Sequence, residues 1–587
     1  MYDLTITGGT VVDGTGDTRY RADLGIKDGR VVEVRRRDGD DSGLDGDAEQ
    51  TIDATGRLVT PGFVDIHTHY DGQVSWDGSL EPSSLHGVTT VVSGNCGVGF
   101  APVRPGREQW LIELMEGVED IPGSALAEGI SWGWESFPEY LDVIEKRDLA
   151  VDFGVQIAHG AVRGYAMGDR GARNEPATKD DIAAMARLVQ EAVEAGALGF
   201  STSRTEGHRA LDGAVVPGTY AAGDELFGLG RAMAAGGQAV FEVAPDGAIG
   251  EHGDALFGEI DWMIRLAAEI DRPVSFTMVQ TTAAPDSWRK QLDLAGAALD
   301  DGIRVHPQFA ARPFGMLFGF PGYHAFTHRP TFRKLKAESA DYEELAERLA
   351  EPSVKAIILS EDDLPVQPVP MFDGMSRMIQ HSIDAIFAIG DPPDYEPTPD
   401  QTVGAIARSR GEDPLATMYD LMLESNATAL LMLPFFNYVD GNHDAIYDMI
   451  SHRAAVSGLS DGGAHCGLIC DASYPTYLLT HWARDRSRGP RFPLEYMVRK
   501  QTLDTATLFG LGDRGVLAVG KRADVNVIDM DTLQLEVPRM AYDLPAGGRR
   551  LIQGARGYDA TVVGGVVTRR HGVDTGARPG RLLRGVR

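Results

Sequence analysis

Along the first sixty residues apolar and polar positions alternate in short bursts, Leu4 to Gly8, Val11 to Val12, Asp23 to Lys27 and Val31 to Val34, broken by Gly and Asp turns. A period of two in runs this short predicts strands, so a small all-β region is expected at the N-terminus. From Pro61 the texture changes, and apolar runs of strand length recur with helix-period stretches after most of them. These runs are Phe63–Ile66, Thr89–Ser93, Asp152–Ile157, Ala197–Thr202, Gln238–Val243, Pro273–Val279, Ile303–Phe309 and Ala454–Leu459. Strands alternating with helices predict a parallel sheet, and eight is the count a closed (β/α)₈ barrel needs. One helix carries its own start and stop: Thr178 as N-cap, Asp181 three residues on, then Ile182, Met185, Leu188, Val189, Ala192 and Val193 at helical spacing, and Gly196 as the stop.

Between Phe309 and Ala454 the chain runs for about 140 residues, longer than any ordinary βα connection, so an insertion of roughly 310–453 with its own elements is expected. A helical face at Tyr342 to Leu349 and an apolar strand at Val354–Leu359 support it. Barrel sites open at the C-terminal ends of the strands, where such an insertion forms a lid or wall. After about residue 515 short strands and turns return, as in Ala523-Asp524-Val525-Asn526-Val527-Ile528-Asp529. The expected division is residues 1–60 and 511–587 as two parts of one small β-sandwich, with the barrel at 61–510. The acidic, Gly-rich stretch 37–50 reads as a solvated loop rather than a calcium site, because its spacing departs from the EF-hand pattern and no helix flanks it.

Composition narrows the function. At 587 residues, 43% hydrophobic and 24% charged, the chain is globular and too long for one compact core. A net charge of −31 repels nucleic acid and anionic lipid, so neither is an expected partner. Three cysteines, Cys96, Cys466 and Cys470, are too few for a secreted disulfide framework. With no leader-like N-terminus and no long apolar stretch, a cytoplasmic protein is expected. We expect a homo-oligomer acting on a small-molecule substrate.

The chemistry starts at Val64-Asp65-Ile66-His67-Thr68-His69. Residues i and i+2 of a strand share a face, so His67 and His69 point together into the barrel mouth and offer two imidazoles to one metal ion. A bare His-x-His also suits two hydrogen-bonded core histidines; the flanking Pro61-Gly62-Phe63 and Tyr70 favour metal. Leu459-Ser460-Asp461-Gly462-Gly463-Ala464-His465 ends the eighth run, which neighbours the first in a closed barrel. Asp461 there is read as a metal ligand and general base, since a metal lowers the pKa of a bound water to about 7. His465 either polarises a substrate carbonyl or caps a turn, and a structural zinc on His465, Cys466 and Cys470 lacks its fourth ligand.

On these residues, with Gly515-Val516-Leu517-Ala518-Val519-Gly520-Lys521-Arg522-Ala523-Asp524, the chain resembles the amidohydrolase superfamily over essentially its whole length. Gly87-Val88-Thr89-Thr90-Val91-Val92-Ser93-Gly94-Asn95-Cys96-Gly97, the His-Gly-x-x-Arg run from His159 to Arg163, and Ala197 to Ser203 are similar to its N-acyl-D-amino-acid deacylase branch. The resemblance implies that Cys96 is a metal ligand, and a thiolate favours zinc. The branch ends its fifth and sixth strands in metal-binding histidines; here those strands read Ala239-Val240-Phe241-Glu242-Val243 and Val274-Ser275-Phe276-Thr277-Met278-Val279-Gln280. Glu242 is therefore either a replacement ligand or a salt-bridged structural residue, and His306 is a further replacement candidate. Arg204 and Arg312 follow the fourth and seventh strands and are candidates for binding a substrate carboxylate. The resulting expectation is a zinc-dependent hydrolase of an amide C–N bond, with one ion or, alternatively, two, acting on an N-acyl-D-amino acid. A cyclic amide, imide or dipeptide hydrolase and a metal-free scaffold are the alternatives.

Overall fold

The structure, a computed structural model, describes residues 1–37, 43–44, 47–252, 255–365 and 375–586. Eight parallel strands form its centre: Phe63–Asp65, Val88–Ser93, Asp152–Ala158, Gly199–Ser203, Val240–Ala244, Val274–Thr277, Val305–Phe309 and Val456–Ser457. They lie side by side in chain order, and a parallel bridge from Thr68 to Gly462 joins the last strand's loop to the first. All eight expected runs contain strands, six of them starting later or ending earlier than expected and two longer by one residue. Their apolar side chains, among them Phe63, Val91, Phe153, Phe200, Phe241, Phe276 and Phe309, are buried in one continuous core with the surrounding helices. The helix Lys179–Ala195 forms as its signals predict: Thr178 and Asp181 make a reciprocal capping box, and Gly196 ends it at a φ of 121°.

Both chain ends enter one nine-stranded sheet. Tyr2–Val11 pairs antiparallel with Tyr20–Lys27 and parallel with Ala48–Asp53, and Leu58–Pro61 pairs antiparallel with Val525–Ile528 from the other end. This unit has its own apolar core, in which Leu4, Ile6 and Leu24 meet Val525, Val527 and Val562. The strand Ala48–Asp53 takes up the last residues of the acidic stretch; most of the loop expected over 37–50 lies outside the described residues.

The insertion has a third core, around Phe318, Phe326, Phe332, Leu349, Tyr419 and Leu431, and a three-stranded sheet. Its helix Tyr342–Leu349 is as expected. The strand expected at Val354–Leu359 is instead part of a helix, Pro352–Ser360, with proline in its first turn. The apolar run misled because only one side of it is covered: Val354 and Ile358, four residues apart, are half-buried and buried while Ala356 and Ile357 between them are both exposed, a helical rather than an alternating pattern.

Candidate metal centre

The first strand hands over to an extended segment that turns both imidazoles toward the barrel axis. The eighth strand's loop is stitched to it: Asp461 N–H donates to the His67 carbonyl (3.1 Å), His69 N–H to the Gly462 carbonyl (2.8 Å), and Ser460 Oγ to Asp65 Oδ2 (2.6 Å). Leu459, Asp461 and His465 hold positive φ values of 58°, 48° and 52°, a costly conformation for residues with a Cβ. The result is that Asp461 Oδ1 lies 3.4 Å from His67 Nε2 and 3.7 Å from His69 Nε2.

Cys96 arrives from the second strand on a tight loop. Asn95 anchors this loop by donating to the carbonyls of Thr68 (3.1 Å) and Val92 (3.0 Å), and Cys96 itself sits at a φ of 56°. A Cβ on Gly94 would lie 2.2 Å from the Gln156 carbonyl, so only glycine lets the loop approach the third strand. Cys96 Sγ is thereby 3.4 Å from His67 Nε2, and one ligand atom each from His67, His69 and Cys96 fall within 4.8 Å of one another. Glu242, fully buried on the fifth strand, accepts from Cys96 N–H at 3.0 Å through Oε2, while Oε1 has no hydrogen-bond partner. Among the described residues no ion pair holds Glu242, which counts against the salt-bridge alternative.

Electrostatically the group asks for a cation. Burial pushes Glu242 up to about 8, helped by the charge of Asp461. Burial also raises the Cys96 thiol and the Glu119 carboxyl well above their ordinary values, with neighbouring carboxylates adding to it. Buried acids that raise one another's pKa are relieved by a divalent ion. The imidazoles match: burial lowers His67 to about 4 and His69 to about 3, so both are neutral with a lone pair to share. Two nitrogens, a sulfur and carboxylate oxygens with orphaned buried acceptors are a donor set that suits a metal of zinc's type.

Other predicted residues are placed as follows. His465 borders the cluster, its Nε2 3.7 Å from Asp461 Oδ2 and 3.7 Å from Glu119 Oε2. Arg204 and Arg312 are both engaged elsewhere: Arg204 pairs with Glu259 (2.8 Å), and buried Arg312 holds Asp471 (3.2 Å) and the Cys470 carbonyl (2.6 Å) under the ring of Tyr395. His306 bonds the Ala454 carbonyl through Nδ1 (3.0 Å), apart from the cluster. Cys466 and Cys470 are buried free thiols.

Three residues near the cluster went unnoticed in the sequence: Glu119 from the helix Glu108–Glu119, half-buried His208 beyond the fourth strand, whose charge would act on His67 and His69, and Gln308 on the seventh, bonded to His67. Glu119 carried a signal, because a carboxylate in a helix's last turn opposes the macrodipole. A second metal-capable group, Glu396, His443 and His481, lies apart from the cluster. There Arg486 already bonds both Glu396 oxygens (3.0 and 3.2 Å), and His443 N–H and His481 Nε2 complete them (2.8 and 3.0 Å), so the guanidinium fills the cation's role.

A family model described as the amidohydrolase family matches residues 50–569. D-aminoacylase of Alcaligenes xylosoxydans xylosoxydans is 28% identical over 585 residues, covering 99% of this chain and 97% of that protein. Two solved structures share the fold over the full length of both chains: a D-aminoacylase at a TM-score of 0.64 and 23% identity, and the N-acyl-D-glutamate deacylase of Bordetella bronchiseptica, complexed with zinc and a phosphonate mimic of the tetrahedral intermediate, at 0.62 and 24%.

Proposed function

The chain belongs to the amidohydrolase family, and from that premise we propose that it is a zinc-dependent hydrolase that removes the acyl group from N-acyl-D-amino acids. The observation that carries the reading is that one ligand atom each of His67, His69 and Cys96 lie within 4.8 Å of one another, with Asp461 Oδ1 3.4 Å from His67 Nε2 and 3.7 Å from His69 Nε2. These four, with Glu242, would hold the ion. When bound, zinc in such a site acidifies a water molecule and polarises the carbonyl it attacks. One ion suffices for the chemistry; the free Glu242 oxygen beside Cys96 supports a second.

The chain's own residues handle the protons. Asp461 accepts one from the attacking water as the oxygen–carbon bond forms, and passes it to the amine nitrogen as the carbon–nitrogen bond breaks. The products are a carboxylate and a free amino acid. His465, whose Nε2 lies 3.7 Å from Asp461 Oδ2, is the candidate to polarise the substrate carbonyl. The D configuration and the N-acyl-amino-acid class rest on the relatives' activities as their names state them. No helix among the described residues is long and apolar enough to cross a membrane. The cytoplasmic location we propose rests on the three free cysteines, which fit a reducing compartment.

The test is release of free amino acid from paired N-acetyl-D- and N-acetyl-L-amino acids, with a hydantoin and an isoaspartyl dipeptide alongside. Turnover of the D series that stops after chelation and returns with zinc is the expected result. Turnover confined to the hydantoin or the dipeptide would replace the substrate class.

A further inference from the structure

Each imidazole of the cluster has one nitrogen turned toward the ligand group and one turned away. His67 turns Nε2 inward and sets Nδ1 on Gln308 Oε1 at 2.8 Å; Gln308 is in turn held by its Nε2 donating to Ser275 Oγ at 3.1 Å. A Cβ on Gly458 would lie 2.3 Å from that Gln308 oxygen, so the chain keeps glycine there to admit the amide. An amide oxygen only accepts, which fixes the proton of His67 on Nδ1 and leaves the Nε2 lone pair for a metal.

His69 has the same layout with a different partner. Its Nε2 faces Asp461, and its Nδ1 lies 3.3 Å from Glu119 Oε1. Both atoms are buried and neither has a hydrogen-bond partner, so they face one another at 3.3 Å just short of hydrogen-bond geometry. Glu119 is the last residue of the helix Glu108–Glu119, and the same turn grips the loop beyond Asp461: the Glu119 carbonyl accepts from His465 N–H, and Asp120 Oδ2 accepts from Gly467 N–H at 2.9 Å. We propose that Glu119 is the positioning residue of His69, an acceptor that holds the imidazole's proton on Nδ1 and aims Nε2 at the metal, as Gln308 does for His67.

This rests on the metal-hydrolase reading, and the test separates the two. The metal-free protein is titrated with zinc in competition with a chromophoric chelator, for the wild type, Glu119→Met and Glu119→Gln. Methionine has similar bulk and no effective acceptor, so zinc affinity should fall about 10–100-fold. Glutamine restores a neutral acceptor and should recover most of that loss, which neither a volume role nor a charge role would allow. Should Glu119→Met fail to fold, Glu119→Ala carries the same expectation. Zinc affinity of the methionine variant equal to wild type, or of the glutamine variant as poor as methionine, overturns the proposal. Failure of the wild type to take up zinc overturns the hydrolase reading itself.

Discussion

Asp461 and the two histidines carry different burdens, and their substitutions should separate. His67→Ala and His69→Ala each remove a ligand and should take turnover to background. Asp461→Asn keeps an oxygen near the metal but cannot accept a proton, so kcat should fall by about 10²–10⁴-fold while the fold persists. Steady-state kinetics with an N-acetyl-D-amino acid check this, and near-normal kcat in the asparagine variant would remove Asp461 from the base role. His67 and His69 were legible because alternation along one strand is local. Glu119's partner was not, even though a carboxylate in a helix's last turn is a flag, because a helix end meets a segment 50 residues away in the chain, an approach that only tertiary packing creates. For the arginines, a guanidinium near a strand end suggested a substrate carboxylate, and in the structure Glu259 and Asp471 hold Arg204 and Arg312.

At the scale of elements, helix-to-helix ion pairs brace the barrel wall beyond the third strand. Glu225 on the helix Gly223–Gly236 meets Arg163 and His159 of the helix His159–Met167, all three buried. Burial alone would raise the Glu225 carboxyl, but His159 and Arg163 outweigh it and hold the group down at about 2, against an ordinary 4.5. A carboxylate with a depressed folded-state pKa adds stability above its unfolded pKa and loses it as pH falls through the folded value. The window is therefore about pH 4.5 down to about 2, and the contribution is of the order of 3 kcal/mol. Urea melts of the wild type and Glu225→Gln should show the stability gap between them narrowing across that window. A gap that stays constant from pH 5 to pH 2.5 would show that the pair does not hold the proton off. Neither partner choice nor burial of this triad follows from spacing, whereas the capping box of Thr178 and Asp181 does, being a contact three residues long.

For the whole molecule, eight strands with helices between them and a long interruption before the last were readable from period and length alone. So was the return of short strands at the C-terminus, since both ends carry alternation that no helix follows. What period could not supply was the interior of the insertion, where an apolar run bounded by proline, Pro352 to Ser360, suits a helix as well as a strand. Nor could it supply the candidate metal site as a whole, because Cys96 and Glu242 come to it from the second and fifth strands across the barrel. A site of buried acids and neutral imidazoles should be stabilised by the ion it binds and strained without it. The most direct measurement is metal content per chain, by elemental analysis after equilibration with zinc and removal of excess. We expect at least one equivalent in the wild type and its loss in a His67→Ala/His69→Ala double variant that remains folded. A wild type that takes up none, or a double variant that retains the same amount, would contradict the account.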